Sequence, residues 1–329
     1  MTIRLLAFTD TGFALACRLA EELGGRASRC GENDSLAAWT AEGFSCADAL
    51  VYVGAAGIAV RAAAPHLRSK ASDPAVVVVD EGGRWAVPIL SGHLGGANAL
   101  ARRIAAVLGG QAVITTATDC RGIFPVDLWA KAQNCAVLEP ERIKDVSSRL
   151  LAGETVEFEC GWPVEGTPPP GLVPGEGSGF SVSVFRKQDS RLHLVPRIVS
   201  LGVGCRRGTG REQIEAAFAA AAAAFSFCPE SVVRVCTIRR KGDEPGLLAF
   251  CAARGWPLCT YSAEELAEAP GDYSGSAFVE QTVGVDNVCE RAAVLGSGGT
   301  LLIPKQAGGG VTLAAAAAPY CPDWRWEDV

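Results

Sequence analysis

The sequence predicts an α/β protein. An open, mostly parallel sheet forms an N-terminal domain, a small middle region follows, and a second α/β domain closes the chain. Three observations carry this. Short apolar runs alternate with helical patterns through residue 125, which is the signature of buried strands connected by helices. A stretch rich in glycine and proline, residues 161–179, then interrupts the pattern. The alternation resumes near Arg197. The expected boundaries are 1–125, 126–196 and 197–329.

In the first domain, residues 3–8, 49–53, 75–79 and 112–114 read as buried strands, and 85–90 as a further strand. Residues 13–23, 58–67 and 97–108 read as helices. Helices are also expected at 126–132 and at 141–151, where Pro140 suits the start. No regular element is expected across 161–179, and residues 180–185 with 192–195 resemble a small hairpin. In the last domain, strands are expected at 198–203, 232–237, 257–261, 300–303 and 311–313. Helices are expected at 211–225, 245–254, 276–282 and 286–295, and Ser262-Ala263-Glu264-Glu265 matches a capping box.

With 49% hydrophobic and 20% charged residues, the chain is globular rather than disordered. A net charge of -6 argues against nucleic acid as a partner, because the usual footprint is a basic face. An anionic ligand must then find local positive charge. The 13 cysteines include no C-x-x-C pair and scatter over all elements. That is neither zinc spacing nor a disulfide scaffold, and it points to the reducing cytoplasm. The apolar runs at 49–60 and 216–225 fall short of the roughly 20 residues a membrane span needs. No membrane association is expected, and homo-oligomerisation stays open.

Several glycine-rich turns hold the polar groups that could carry chemistry. The most distinctive is Ser91-Gly92-His93-Leu94-Gly95-Gly96-Ala97-Asn98, which joins a strand to a helix and holds one of only three histidines. Strand-to-helix turns of open sheets bind ligands, glycines admit a ligand to the backbone, and histidine transfers protons near neutral pH. Its neighbours offer His93 little bulk to pack against, whereas His66, in an apolar helical stretch, and His193, in the short hairpin, suit structural roles. No G-x-S-x-G elbow surrounds Ser91, which counts against a serine nucleophile. Thr115, Thr116 and Asp119 follow the strand at 112–114, where they line a ligand crevice, the alternative being a helix cap by Thr118 or Asp119.

Neither Gly54 to Arg61, with Gly57 between, nor the turn holding Gly204, Arg206 and Arg207 fits a dinucleotide or phosphate-loop fingerprint. Anion binding at the following helix N-termini stays open. Arg206 and Arg207 suit bidentate carboxylate binding or a solvated surface. Lys305 at a glycine-rich tip, and Glu280 and Glu290 on an amphipathic pattern, are further candidates. Solvated faces are the alternative for the two glutamates, and a flexible hairpin tip for Lys305.

Taken in order, these segments resemble the cobalt-precorrin-5A hydrolase (CbiG) family of anaerobic cobalamin biosynthesis. The matching pieces are VGAAGIAVR at 53–61, DPAVVVVD at 73–80, LSGHLGGAN at 90–98, ITTATD at 114–119, VDLWA at 126–130, GVGCRRGT at 202–209, KGDEPGL at 241–247 and IPKQ at 303–306. They run across almost the whole chain. The C-terminal half also looks like a small stand-alone protein of the aerobic route.

The resemblance implies a hydrolase that opens the ring A δ-lactone of cobalt-precorrin-5A and releases acetaldehyde, giving cobalt-precorrin-5B. The corrinoid substrate carries the cobalt, so no cofactor or protein metal site is required. On side-chain chemistry, His93 is then expected as general base, with Asp119 orienting it or a water. Amides around Gly92 and Gly95 would face the oxyanion. Gly54, Gly57, Arg61, Ser91, Gly96, Asn98, Thr115, Thr116, Gly204, Arg206, Arg207, Glu280 and Lys305 are expected around the substrate. The competing readings are a non-catalytic corrinoid-binding or delivery protein and a nucleotide-binding enzyme.

Overall fold

The computed structural model describes residues 1–31, 35–69, 72–93, 95–273 and 285–326. The expected helix at 276–282 and Glu280 lie outside them. By internal contacts the chain forms two units. One comprises Met1–Ala132, Leu150–Ala152 and Arg325–Val329, and the other Gln133–Arg149 and Gly153–Trp324.

The first unit is a six-stranded sheet in the order β2-β1-β3-β4-β5-β6. Its strands are β1 (Ile3–Ala7), β2 (Arg26–Arg29), β3 (Ala49–Val53), β4 (Ala75–Val79), β5 (Trp85–Leu90) and β6 (Gln111–Ala112). The helices are α1 (Asp10–Leu23), α2 (Leu36–Cys46), α3 (Ala56–Ala63), α4 (Ala97–Leu108), α5 (Ala117–Cys120) and α6 (Val126–Ala132). Every residue of β3 and β4 is buried, as a sheet covered on both faces requires. On one face Leu5, Val51 and Val77 pack with Leu19 of α1 and Ile104 of α4. On the other, Leu6, Leu50 and Tyr52 pack with Trp39 of α2 and Ala59 of α3. β2 is a polar edge strand (RASR), and it carries no apolar run by which to be read from sequence.

All pairings are parallel except one: β4 and β5 are antiparallel, with Val79 opposite Ala86 and Val76 opposite Leu90. β5 therefore ends at the edge where β3 and β4 begin, and β6 runs parallel to β5.

The second unit holds two five-stranded sheets. The first has the order β7-β11-β10-β8-β9, from β7 (Cys135–Val137), β8 (Val156–Cys160), β9 (Leu172–Pro174), β10 (Gly179–Val182) and β11 (Leu192–Pro196), and α7 (Ile143–Leu151) precedes β8. Two expectations are corrected here. The glycine- and proline-rich stretch contains β9, which pairs in parallel along Val156–Phe158 of β8. It is a three-residue edge strand, the position where proline is tolerated. The expected hairpin is a parallel pair, with Phe180 opposite Leu192 and Val182 opposite Leu194. After β10 the chain runs out to bridge Phe227 through Phe185 before returning. Arg191, 5% exposed and paired with Asp189 and Glu159, anchors the return.

The second sheet has the order β14-β13-β12-β16-β15. Its strands are β12 (Val199–Cys205), β13 (Val232–Ile238), β14 (Leu258–Tyr261), β15 (Thr300–Gly308) and β16 (Val311–Ala317), with α8 (Arg211–Phe225), α9 (Pro245–Arg254), α10 (Ala263–Ala267) and α11 (Cys289–Ser297). Leu201, Val203, Ile214, Phe218, Leu247 and Phe250 form the core on the α8–α9 side. The expected capping box is present, with Ser262 and Glu265 bonding each other's backbone amides. β16 ends in four alanines that propensity alone would assign to helix. Buried between β12 and β15, they are strand, and Ala316 packs with Ala293 and Val294 of α11. Among the described residues no helix is long and apolar enough to cross a membrane.

Candidate functional site

α4 is amphipathic, and Asn98 lies on its buried side with Ala97, Ala101 and Ala105. One turn further on is Arg102, so both side chains project the same way. They converge on Asp119 of α5: Asn98 Nδ2 donates to Asp119 Oδ2 at 3.1 Å, and Arg102 donates to Oδ1 at 2.7 Å. Thr116 also donates to Oδ2 and accepts from Asn98. His93 Nε2 completes the cluster, 2.8 Å from Asp119 Oδ2, with Thr118 Oγ1 at 3.3 Å. The other ring nitrogen, Nδ1, lies 3.5 Å from Asp127 Oδ2. Asp127 sits in the first turn of α6 and is 6% exposed.

The turn that presents His93 is held by its own backbone. The amides of Gly96, Ala97 and Asn98 donate to the carbonyls of His93, Ser91 and Gly92. Gly95 is required because a Cβ there would lie 2.3 Å from the Ser91 Cβ. The Ser91 hydroxyl donates to the Asp73 carbonyl at 2.9 Å, a structural use of a side chain at φ 55°. Gly96, at φ 82°, opens α4. A cavity of about 420 Å³ adjoins the cluster, lined by Gly92, His93, Asn98, Arg102, Asp119 and Trp326 among others. The Trp326 ring stands edge-on to Phe124, 5.5 Å between centroids.

Asp127 first, then Asp119, outweigh burial at the ring and push the His93 pKa up to about 9 from the usual 6.5. Burial works to raise Asp119, but Thr116, His93 and Arg102 prevail and hold it at about 2, below the usual 3.8. Each shift makes stability depend on pH. The Asp119 contribution, about 2 kcal/mol, is complete above its unfolded value and lost as pH falls through about 2. The His93 contribution is complete below 6.5 and lost as pH rises through about 9. The two share one contact and are not additive. Urea midpoints are therefore expected to decline on both flanks, and Asp119→Asn to shrink both declines.

Not all candidates meet. Because β5 is antiparallel, its end lies at the opposite sheet edge from the end of β3, where Gly54, Gly57 and Arg61 follow. Gly57 and Arg61 are exposed there, and Arg61 donates back to the Gly57 carbonyl at 3.4 Å. The sequence-based reading assumed strand ends sharing one crevice, which holds only among strands that run the same way. Thr115 is exposed and Thr116 is in the cluster. His193 is buried on β11, 3.2 Å from Glu139, and the His66 ring packs on Phe44.

In the second unit a cavity of about 640 Å³ opens at the carboxyl ends of the parallel strands β12 and β13. Arg206, Arg207, Arg240, Lys241 and Lys305 line it, as do Gly204 and the start of α11, and among the described residues no carboxylate lines it. Lys241 pairs at 2.7 Å with Glu244, which also accepts from the Gly208 amide. Glu290, 1% exposed, accepts from the Lys305 amide at 2.7 Å and from Asn287. It therefore ties α11 to β15 rather than facing solvent. Arg102, Asp127, Trp326, Arg240 and Lys241 were not among the expected site residues. A usable signal existed for Asp127: a carboxylate within the buried run of Val126, Trp129 and Ala130.

Fold and sites together define a class: a two-unit α/β protein with a histidine–carboxylate cluster in one unit and a cationic cavity in the other. Residues 38–119 match the family model described as cobalamin synthesis G N-terminal, and residues 199–316 the cobalamin synthesis G C-terminus. The curated cobalt-precorrin-5A hydrolase of Salmonella typhimurium is 33% identical over 96% of this chain and 98% of that protein. The Priestia megaterium protein of the same name is 33% identical over 84% of this chain and 80% of its own. The solved structure of CobE, a protein from the cobalamin biosynthetic pathway, is 26% identical over 38% of this chain and 93% of that one, at a TM-score of 0.35. The chain belongs to the cobalamin synthesis G, or cobalt-precorrin-5A hydrolase, family.

Proposed function

We propose that this protein hydrolyses the ring A δ-lactone of cobalt-precorrin-5A and releases acetaldehyde, giving cobalt-precorrin-5B. The observation that carries this is the 33% identity to the Salmonella typhimurium hydrolase over nearly the full length of both chains. The chemistry of the two cavities supports it. A corrinoid bears many carboxylates, and five cationic side chains line one cavity of an otherwise acidic protein. The cobalt travels with the substrate, and water is the only co-reactant, so the reaction calls for no resident cofactor. A cytoplasmic protein fits the scattered unpaired thiols among the described residues.

The lactone carbonyl takes up water, and its C–O bond breaks toward the two-carbon fragment. The acyl side becomes the ring A acetate carboxylate, the two protons of the water pass to solvent, and the oxygen of the fragment takes a proton. His93 enters with its ring protonated and donates that proton. Sequence reasoning expected a base for the attacking water; a ring that enters protonated acts first as the acid, and the neutral ring is then the base of the second step. It recovers the hydroxyl proton as the adjoining C–C bond breaks, acetaldehyde departs, and the electron pair stays on the macrocycle, which takes up a proton. Asp119 orients the ring, and amides near Gly92 and Gly95 are the proposed oxyanion donors.

Purified protein incubated with cobalt-precorrin-5A is expected to release one acetaldehyde per macrocycle. Uptake of the pigment without aldehyde would instead mark a binding or delivery protein. Replacing Arg206 and Lys305 together with alanine is expected to raise KM roughly tenfold, with kcat little changed. An unchanged KM would remove the carboxylate-binding role of this cavity.

A further inference from the structure

His93 is approached by carboxylates on both sides of its ring, and only one of them was expected. Asp119, on α5, faces Nε2, and Asp127, on α6, faces Nδ1. The remaining groups of the cluster are polar or cationic: Thr118 beside Nε2, and Asn98 and Arg102 of α4 on the far side of Asp119. Both carboxylates are largely shielded, with side chains 13% and 7% exposed.

A neutral imidazole has one N–H and one lone pair. Between two carboxylates, a neutral ring turns its lone pair toward an anion whichever tautomer it adopts. Only the doubly protonated ring donates on both sides. Asp119 has four donors of its own from Thr116, Asn98, Arg102 and His93. The hydrogen bonds of Asp119 therefore fix where it sits. Asp127 decides what the second ring nitrogen carries.

We infer that Asp127 is a positioning residue for the lactone-opening reaction, the second jaw of a carboxylate–imidazole–carboxylate clamp that fixes the His93 ring plane and keeps both ring nitrogens protonated. It reaches the substrate only through His93. The 3.5 Å separation on this side, against 2.8 Å at Asp119, makes Nδ1 the looser N–H and the one a substrate oxygen can compete for. The raised pKa of the ring agrees with this arrangement. The catalytic part of the inference rests on the reading of His93 as the proton-handling residue; the clamp itself does not.

The test is a pH titration of the ring nitrogens by nitrogen-15 NMR on the full-length protein, alongside the pH dependence of kcat/KM. Three histidines, and a His93→Gln control, make the assignment direct. The wild-type ring is expected to titrate near 9. In Asp127→Asn it is expected to titrate at least tenfold more acidic in Ka, with the basic limb of kcat/KM moving by the same amount. A wild-type ring titrating near 6.5, or one that Asp127→Asn leaves unmoved, overturns the clamp. A ring that moves while the rate profile stays put upholds the clamp and overturns the catalytic role of His93. Should Asp127→Asn not fold, Asp119→Asn decides the point. With Asp127 still in place, its ring is expected to titrate above 6.5, and a value at or below that overturns the inference.

Discussion

Replacing His93 with glutamine is expected to lower the rate of acetaldehyde release by roughly 10²–10⁴-fold, the usual contribution of a positioned acid–base group. Glutamine keeps a donor for Asp119 but has no titrating proton. KM is expected to move little, because the many carboxylates of the substrate have other partners. The wild-type rate should also fall as pH rises through about 9, as the ring loses the proton its two carboxylates hold. The variant should lose that basic limb. Circular dichroism and a urea titration establish that it folds. A folded variant releasing aldehyde at the wild-type rate removes His93 from the chemistry.

The second large effect is on stability. Gly202→Ala is expected to destabilise the second unit by about 3 kcal/mol, at the upper end of overpacking costs. Gly202 lies in the middle of β12, where α11 crosses the sheet. A Cβ there would sit 1.7 Å from the Cys289 carbonyl and 3.0 Å from the Ala293 amide. These are backbone atoms of the helix, so no rotamer change relieves the clash and α11 must lift. The start of α11 also lines the cationic cavity, and Glu290 ties the helix to β15. A lower urea midpoint and weaker corrinoid binding are therefore expected together. An unchanged midpoint would mean that the close helix–sheet approach is not needed.

Much of the fold was legible because buried strands are continuous apolar runs. Ala49–Val53 and Ala75–Val79 match the read boundaries, as do α4, α6, α8 and α9. What stayed hidden lacked that signal. β2 is polar, β9 is an edge strand in a stretch of turn residues, and the alanines of β16 are strand only because of their neighbours. Strand direction was the costlier gap. Periodicity does not distinguish a parallel pair from a hairpin, as β10 and β11 show. The antiparallel β5 likewise separates Gly54, Gly57 and Arg61 from the His93 turn.

Within the site, the glycine turn and the threonine–aspartate strand end were readable, and they meet through His93 and Asp119. Asp127 was visible as a buried acid in a helix, but its partner lies 34 positions away, and only the fold brings the two together.

The most direct test of the account is a single turnover in water enriched in heavy oxygen, with the macrocyclic product analysed by mass. Attack of water on the lactone carbonyl predicts one heavy oxygen in the ring A acetate carboxylate, alongside one acetaldehyde. A macrocycle that releases acetaldehyde without gaining heavy oxygen would place the attack elsewhere, and a pigment returned intact would contradict hydrolysis altogether.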